Sequence, residues 1–140
     1  MSTLILYYSL SGHSAAYAKN LAKTEGAAIA ELKDAAPTGK FKAYTKGSLL
    51  AITGKAWPIL PFDGKLQAAF AEAERLIVVC PIWGGNVPPA VNAMLADLPE
   101  GKAVEFKLLS GSGKSSCADK LKEKVAARGC TLAGIEDIQA

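Results

Sequence analysis

The chain has 140 residues, of which 50% are hydrophobic and 21% charged, a composition that predicts a soluble globular protein and excludes a disordered one. Its formal net charge of +3 is small and scattered along the sequence, which argues against a nucleic-acid-binding protein. No apolar run approaches the roughly 20 residues that a membrane-spanning helix needs, so we expect no membrane partner.

The cysteines and the start of the sequence bear on where the protein works. Cys80, Cys117 and Cys130 are odd in number and lack the spacing of metal ligands, so we expect reduced thiols and no metal site. Met1 leads almost directly into an apolar run, which leaves no room for a secretion signal. Both features predict a cytoplasmic location.

The first predicted element is a buried strand at residues 3–8, a short and mostly apolar run rich in residues that favour strands. The run breaks into residues 9–14, Ser-Leu-Ser-Gly-His-Ser, and then into an alanine-rich segment with helical spacing that ends at Gly26. The start of the chain is therefore predicted to be a strand, a loop of small residues and a helix.

This order suits the binding of a phosphate group. The first N–H groups of a helix have no partner inside the helix, and the helix dipole favours an anion at that end. The serine hydroxyls of residues 9–14 would add donors, and Gly12 would let the backbone come close to the ligand. His13 is a further candidate contact, although a histidine at a helix start is more often simply exposed. The alternative is a capped helix with nothing bound.

Strands and helices alternate along the rest of the chain. Strands are predicted at residues 27–32, 76–80, 104–109 and 131–138. Helices are predicted at residues 41–54, from Pro88 or Pro89 to Pro99, and between residues 116 and 129, with a short helical turn at residues 66–74. This alternation predicts an α/β fold, a doubly wound five-stranded parallel sheet that forms one domain over residues 1–140.

Three of the predicted strands end in loops rich in Gly, Ser or Pro, at residues 9–14, 81–89 and 110–116. Ligands of open α/β sheets bind at the carboxyl ends of the strands, beside the point where the strand order reverses. In the order 2-1-3-4-5 these three loops would converge on one site. Trp83 offers a flat face for a planar ring, and Gly84-Gly85 a backbone that can approach the ring or change conformation.

Together the three loops resemble those of the flavodoxin-like superfamily, particularly of short bacterial flavodoxin-domain proteins. Residues 9–14 resemble its hydroxyl-rich phosphate loop. Residues 81–91, PIWGGNVPPAV, resemble the loop that wraps the isoalloxazine ring, and residues 110–116, SGSGKSS, resemble the segment that lines the pyrimidine end of that ring. The resemblance implies the flavodoxin-like strand order 2-1-3-4-5, bound FMN and a redox function, with no catalytic side chain. The FMN-binding residues that it implies are Ser9, Leu10, Ser11, Gly12, His13, Ser14, Pro81, Ile82, Trp83, Gly84, Gly85, Asn86, Ser110, Gly111, Ser112, Gly113 and Lys114.

The sequence departs from flavodoxins in three respects. Residues 109–116 contain no second stacking aromatic, and the chain is slightly basic where electron-carrying flavodoxins are strongly acidic. No fifth helix is predicted after the last strand, because only two residues follow Ile138. One face of the sheet would then be thinly covered, which fits the alternation of apolar residues with Glu105 and Lys107 in the fourth strand. A homodimer would be one source of cover.

Two other protein classes with this strand order are excluded by the first loop. A response-regulator receiver needs acidic residues at the end of the first strand, but the first Asp of this chain is Asp34. A low-molecular-weight phosphatase needs a cysteine and an arginine around its phosphate loop, and residues 9–14 contain neither.

Three functional interpretations stay open. The protein is an electron carrier for a redox partner protein, an NAD(P)H-dependent flavin or quinone reductase with a small-molecule electron acceptor, or a binding or structural module of the same fold that no longer holds flavin. Lys114 favours the reductase, because a cation near the pyrimidine edge would stabilise the negative charge of the two-electron-reduced ring.

Overall fold

The computed structural model describes residues 2–9, 12–33, 59 and 61–140. The elements of this part are β1 (Thr3–Tyr7), α1 (His13–Glu25), β2 (Ala28–Glu31), α2 (Gly64–Glu72), β3 (Arg75–Pro81), α3 (Pro89–Ala96), β4 (Ala103–Ser110), α4 (Ala118–Ala127) and β5 (Thr131–Gln139). None of these helices is long and apolar enough to cross a membrane. The helix predicted at residues 41–54 lies outside the described residues.

The five strands form a single parallel sheet in the order β2-β1-β3-β4-β5. The chain moves outward from β1 to β2 on one side, and from β3 through β4 to β5 on the other. The strand order therefore reverses between β1 and β3, where ligands of such sheets bind. The predicted doubly wound α/β sheet and its strand order are confirmed.

β3 is the most deeply buried strand, and residues 76–80 have no exposed surface. It has a strand on each side and helices on both faces, a position that requires a continuous apolar run rather than an alternating one. Its residues point alternately to the two faces, so the strand contributes to the core on both sides of the sheet.

Two hydrophobic clusters lie on the opposite faces of the sheet. In the larger cluster, α2, α3 and α4 contribute Phe70, Met94 and Leu121. In the smaller cluster, Ala18 and Leu21 of α1 pack on the other face. This division follows from right-handed crossovers, because the order reversal after β2 sends the later helices to the face opposite α1.

α2 is a helix of nine residues rather than the short turn predicted for residues 66–74. Asp63 caps its start, where the side chain accepts a hydrogen bond of 2.7 Å from the Leu66 N–H. At the other end, the buried ammonium of Lys102 donates to the carbonyl oxygens of Ala71, at 3.2 Å, and Ala73. Both ends of the helix are thus held by side chains, which stabilises it beyond its sequence propensity.

On the α1 face, β4 and β5 are covered by charged side chains rather than by a helix. Arg75 of β3 pairs with Glu105 of β4 at 2.6 Å, and Lys107 of β4 lies 3.8 Å from Glu136 of β5. The hydroxyl of Tyr17 in α1 donates to the Glu136 carboxylate at 3.4 Å. Within the described residues no helix follows β5, so this face of the sheet is thinly covered, as predicted. The homodimer stays a prediction.

The burial of β3 can be tested with two identical substitutions. Ile77→Ala removes a fully buried side chain from β3 and should cost about 2–5 kcal/mol of unfolding free energy. Ile29→Ala on the edge strand β2 is the matched control, since Ile29 is 37% exposed, and it should cost much less. Urea denaturation measures both, and equal losses would contradict β3 as the centre of the core.

Candidate functional site

A cavity of about 320 Å³ opens at the carboxyl ends of β1, β3 and β4. The residues that line it are Ser9, His13, Ser14, Pro81, Ile82, Trp83, Leu109, Ser110, Gly111 and Ala140. The three loops predicted from the sequence to converge therefore meet, and they meet beside the reversal of the strand order.

The predicted site residues do not all reach this cavity. Leu10 and Ser11 lie outside the described residues. The described ones that do not line the cavity are Gly12, Gly84, Gly85, Asn86, Ser112, Gly113 and Lys114. The cavity is thus formed by the beginning of each loop, where the chain leaves the strand, and by the first turn of α1.

The start of α1 forms one wall of the cavity. Gly12 precedes the helix with a φ of +98°, a left-handed conformation that suits glycine, and its N–H donates to the Ser9 hydroxyl at 2.9 Å. No side chain among the described residues caps the helix, so its first N–H groups keep their capacity to bind an acceptor. His13, the first residue of α1, is exposed and lies at the cavity.

Ser14 has a buried hydroxyl at this wall. The residue is 2% exposed and lines the cavity, one helical turn before the fully buried Ala18. Among the described residues its hydroxyl has no hydrogen-bond partner. A buried polar group without a partner costs about 1–3 kcal/mol. At a helix N-terminus, the partner that the helix dipole favours is an atom with negative charge.

Trp83, predicted to offer a flat face for a ring, lines the cavity but has little exposed surface. Its side chain is 3% exposed and packs edge-to-face on Tyr8, with ring centroids 5.7 Å apart and planes at 79°. The backbone N–H of Trp83 donates to the Asn86 carbonyl at 2.8 Å, and the backbone N–H of Asn86 donates to the Trp83 carbonyl at 3.1 Å. Most of the indole therefore belongs to the core, and only a small part of its surface is available to the cavity.

The loop after β4 is folded on itself beyond Gly111. The Lys114 N–H lies within hydrogen-bond distance of the Ser110 hydroxyl, at 3.2 Å, and of the Ser112 hydroxyl, at 3.3 Å. The Lys114 side chain is exposed and does not line the cavity. The loop thus supplies Ser110 and Gly111 to the site, while its lysine side chain faces solvent.

Leu109 and Ala140 line the cavity and were not predicted. Leu109 is the last apolar residue of β4, and its side chain lies on the α1 face of the sheet. Ala140 follows β5, and its N–H donates to the Ser110 carbonyl at 2.9 Å. The strand order contains the signal, because a fifth strand beside β4 brings its own carboxyl end to the same edge of the sheet.

Comparison with known proteins bears on the fold. No family model matches the chain, and no curated protein matches it. Among solved structures, a flavoprotein of Lactobacillus acidophilus in complex with FMN is similar at 22% identity, with a TM-score of 0.71 over 96% of this chain and 91% of that one. The fold is flavodoxin-like.

Other solved structures share the flavodoxin-like fold at lower identity. A flavodoxin of Streptococcus pneumoniae is 16% identical, with a TM-score of 0.56 over 100% of this chain and 87% of its own. An azoreductase of Bacillus anthracis is 13% identical, with a TM-score of 0.51 over 97% of this chain and 85% of its own. At such identities the likeness shows the fold alone.

The cysteines of this flavodoxin-like chain belong to its core. Cys80, Cys117 and Cys130 are all buried and free of disulfides. Burial raises the pKa of the Cys117 thiol, which disfavours a reactive thiolate although the residue sits at the start of α4. Among the described residues, no group of three or more His, Cys, Asp or Glu side chains is placed to hold a metal ion.

The unpartnered hydroxyl of Ser14 predicts an unusual response of the ligand-free protein. Ser14→Ala should leave the unfolding free energy unchanged or raise it by up to about 1–3 kcal/mol, because the penalty of the buried hydroxyl disappears. Ser9→Ala, the matched control, should cost about 1 kcal/mol, since the Ser9 hydroxyl accepts the Gly12 N–H. Denaturant unfolding of flavin-free protein measures both. A clear loss for Ser14→Ala would mean that its hydroxyl already has a partner.

Proposed function

We propose that this protein binds FMN in the cavity and uses the flavin for electron transfer or for the reduction of a small substrate. The observation that carries the proposal is the buried Ser14 hydroxyl, which lacks a partner among the described residues and lies at the N-terminus of α1. The cavity volume of about 320 Å³ falls within the range of cofactor pockets. The FMN-bound flavoprotein of the same fold supports the choice of ligand.

The phosphate group would be held at the start of α1. Ser14 and Ser9 offer hydroxyl groups there, the first turn of the helix offers N–H groups, and the helix dipole favours the negative charge. The described residues that line the cavity include no lysine or arginine, so neutral donors and the His13 imidazole would bind the phosphate. The residues present therefore fit a phosphate ester.

The ring would lie against the residues at the ends of β3 and β4. Pro81, Ile82 and Leu109 supply apolar surface at these ends, and Ser110 and Gly111 supply polar groups. Bound FMN supplies the electron-transfer chemistry, and the chain orients it and keeps water from part of its surface. With Trp83 largely buried, the ring contacts from the described residues would be mainly aliphatic.

The electron acceptor is a redox partner protein for a carrier, or a small molecule such as a quinone for an NAD(P)H-dependent reductase. The similarity to a flavodoxin supports the electron carrier, and the similarity to an azoreductase supports the reductase. Oxidation of NADH or NADPH by FMN-loaded protein, with a quinone as acceptor, would select the reductase. We place the reaction in the cytoplasm, which three free cysteines support.

FMN binding can be tested against riboflavin, which lacks the phosphate. The native protein should bind FMN and acquire the visible absorption of a flavin. Ser14→Ala should weaken FMN binding about tenfold or more, because a hydrogen bond to a charged oxygen is lost. The same variant should bind riboflavin as the native protein does. Fluorescence titration measures all four affinities.

The outcomes separate the interpretations. An equal loss for FMN and riboflavin would contradict the placement of the phosphate at Ser14. No binding of FMN to the native protein would replace the proposal with a binding or structural module that has this fold but holds no flavin.

A further inference from the structure

The loops after β3 and β4 are joined at a point outside the cavity. The Ser116 N–H donates to the Gly85 carbonyl oxygen at 2.9 Å, and the Ser116 hydroxyl donates to the same oxygen at 3.2 Å. We name this pair of residues the loop clasp. A Cβ atom on Gly85, whose φ is +81°, would collide with the Ser116 hydroxyl oxygen. An alanine at this position would therefore displace the Ser116 hydroxyl, and it would also be strained by the left-handed φ.

The clasp uses both hydrogen-bond acceptor positions of the Gly85 carbonyl oxygen. A carbonyl oxygen has two lone pairs, and Ser116 supplies two donors for them. The neighbouring Gly84 carbonyl accepts from the side-chain amide of Asn86 at 3.1 Å. The sequence predicted that the backbone of Gly84 and Gly85 approaches a ring or changes conformation. In the structure, both carbonyl oxygens accept hydrogen bonds from other residues of the chain.

The clasp is connected to the wall of the cavity through one short turn. Gly85 lies between Trp83 and Asn86, whose backbones bond to each other in both directions. Trp83 and Ile82 line the cavity, and the Ile82 N–H donates to the Leu109 carbonyl at 3.0 Å, which joins the ends of β3 and β4. The loops after β3 and β4 are therefore joined where they leave the sheet and again at the clasp.

From this geometry, and resting on the proposed function, we infer that Ser116 is a positioning residue for FMN. It does not line the cavity, but it holds the turn at residues 83–86 against the start of α4 and so fixes the position of the β3 loop relative to the β4 loop. Affinity for a ligand bound by these loops depends on their preorganisation, because a loose loop must be ordered when the ligand binds.

A set of four variants tests this role. Ser116→Ala keeps the backbone bond but loses the hydroxyl bond, and should raise the FMN dissociation constant about two- to tenfold. Gly85→Ala should raise it further, since the new Cβ collides with the Ser116 hydroxyl and the left-handed φ disfavours alanine. In the double variant Gly85→Ala/Ser116→Ala the colliding oxygen is gone, so FMN should bind more tightly than to Gly85→Ala alone. Ser116→Ala should thus weaken FMN binding in the native chain and strengthen it in the Gly85→Ala variant.

Ser2→Ala is the matched control. The Ser2 hydroxyl also bonds to the backbone, as acceptor from the Glu74 N–H at 3.2 Å, but it lies at the start of β1, the far end of the strand from the cavity. The control should therefore leave the FMN dissociation constant unchanged even where it lowers the unfolding midpoint. If Ser116→Ala behaves like this control, with a lower midpoint and unchanged affinity, Ser116 is only a structural residue and the inference is overturned.

A measurement on flavin-free protein keeps this inference separate from the proposed function. Amide hydrogen exchange at Trp83 and Asn86 should be faster in Ser116→Ala than in the native protein, because the turn is less firmly held. If the native protein binds no FMN, the proposed function fails, and the exchange rates still decide whether Ser116 positions the turn. Unchanged exchange at both amides would overturn the inference.

Discussion

Burial of β3 on both faces is the constraint on which the rest of the structure depends. A strand with no exposed surface from residue 76 to residue 80 needs a neighbour on each side and helices above and below. β1 and β4 are those neighbours, and all three strands are parallel, so their following loops leave the sheet at the same edge. The cavity is therefore a consequence of how the central strand is buried.

The strands were predictable because each is a short apolar run between Gly-, Ser- or Pro-rich segments, a pattern that depends on neighbours in sequence. The burial of Trp83 was not predictable, because its ring packs on Tyr8, 75 positions earlier, and the two residues meet only in the folded sheet. The length of α2 was missed for a similar reason. Its C-terminal end is held by Lys102, about 30 residues later in the chain.

At the candidate site, the sequence identified the loops but not which of their side chains face inward. Helical periodicity could have singled out Ser14, because it lies one turn before Ala18 on the buried face of α1. No comparable rule covers the loop after β4, where hydrogen bonds of Ser110 and Ser112 with Lys114 decide the conformation. Irregular loops are shaped by such local contacts, which no periodic pattern encodes.

The wall of the cavity at β4 depends on β5 rather than on a covering helix. The ion pairs on the α1 face of these two strands are partly exposed and contribute little free energy by themselves. The end of β5 instead holds the β4 loop directly, since the Ala140 N–H donates to the Ser110 carbonyl and the Gln139 side-chain amide donates to the Gly111 carbonyl at 3.1 Å. Ser110 and Gly111 both line the cavity. Because β5 is an edge strand, fraying at its end would loosen these two residues first, and the cavity would lose its shape before the central sheet loses any of its core.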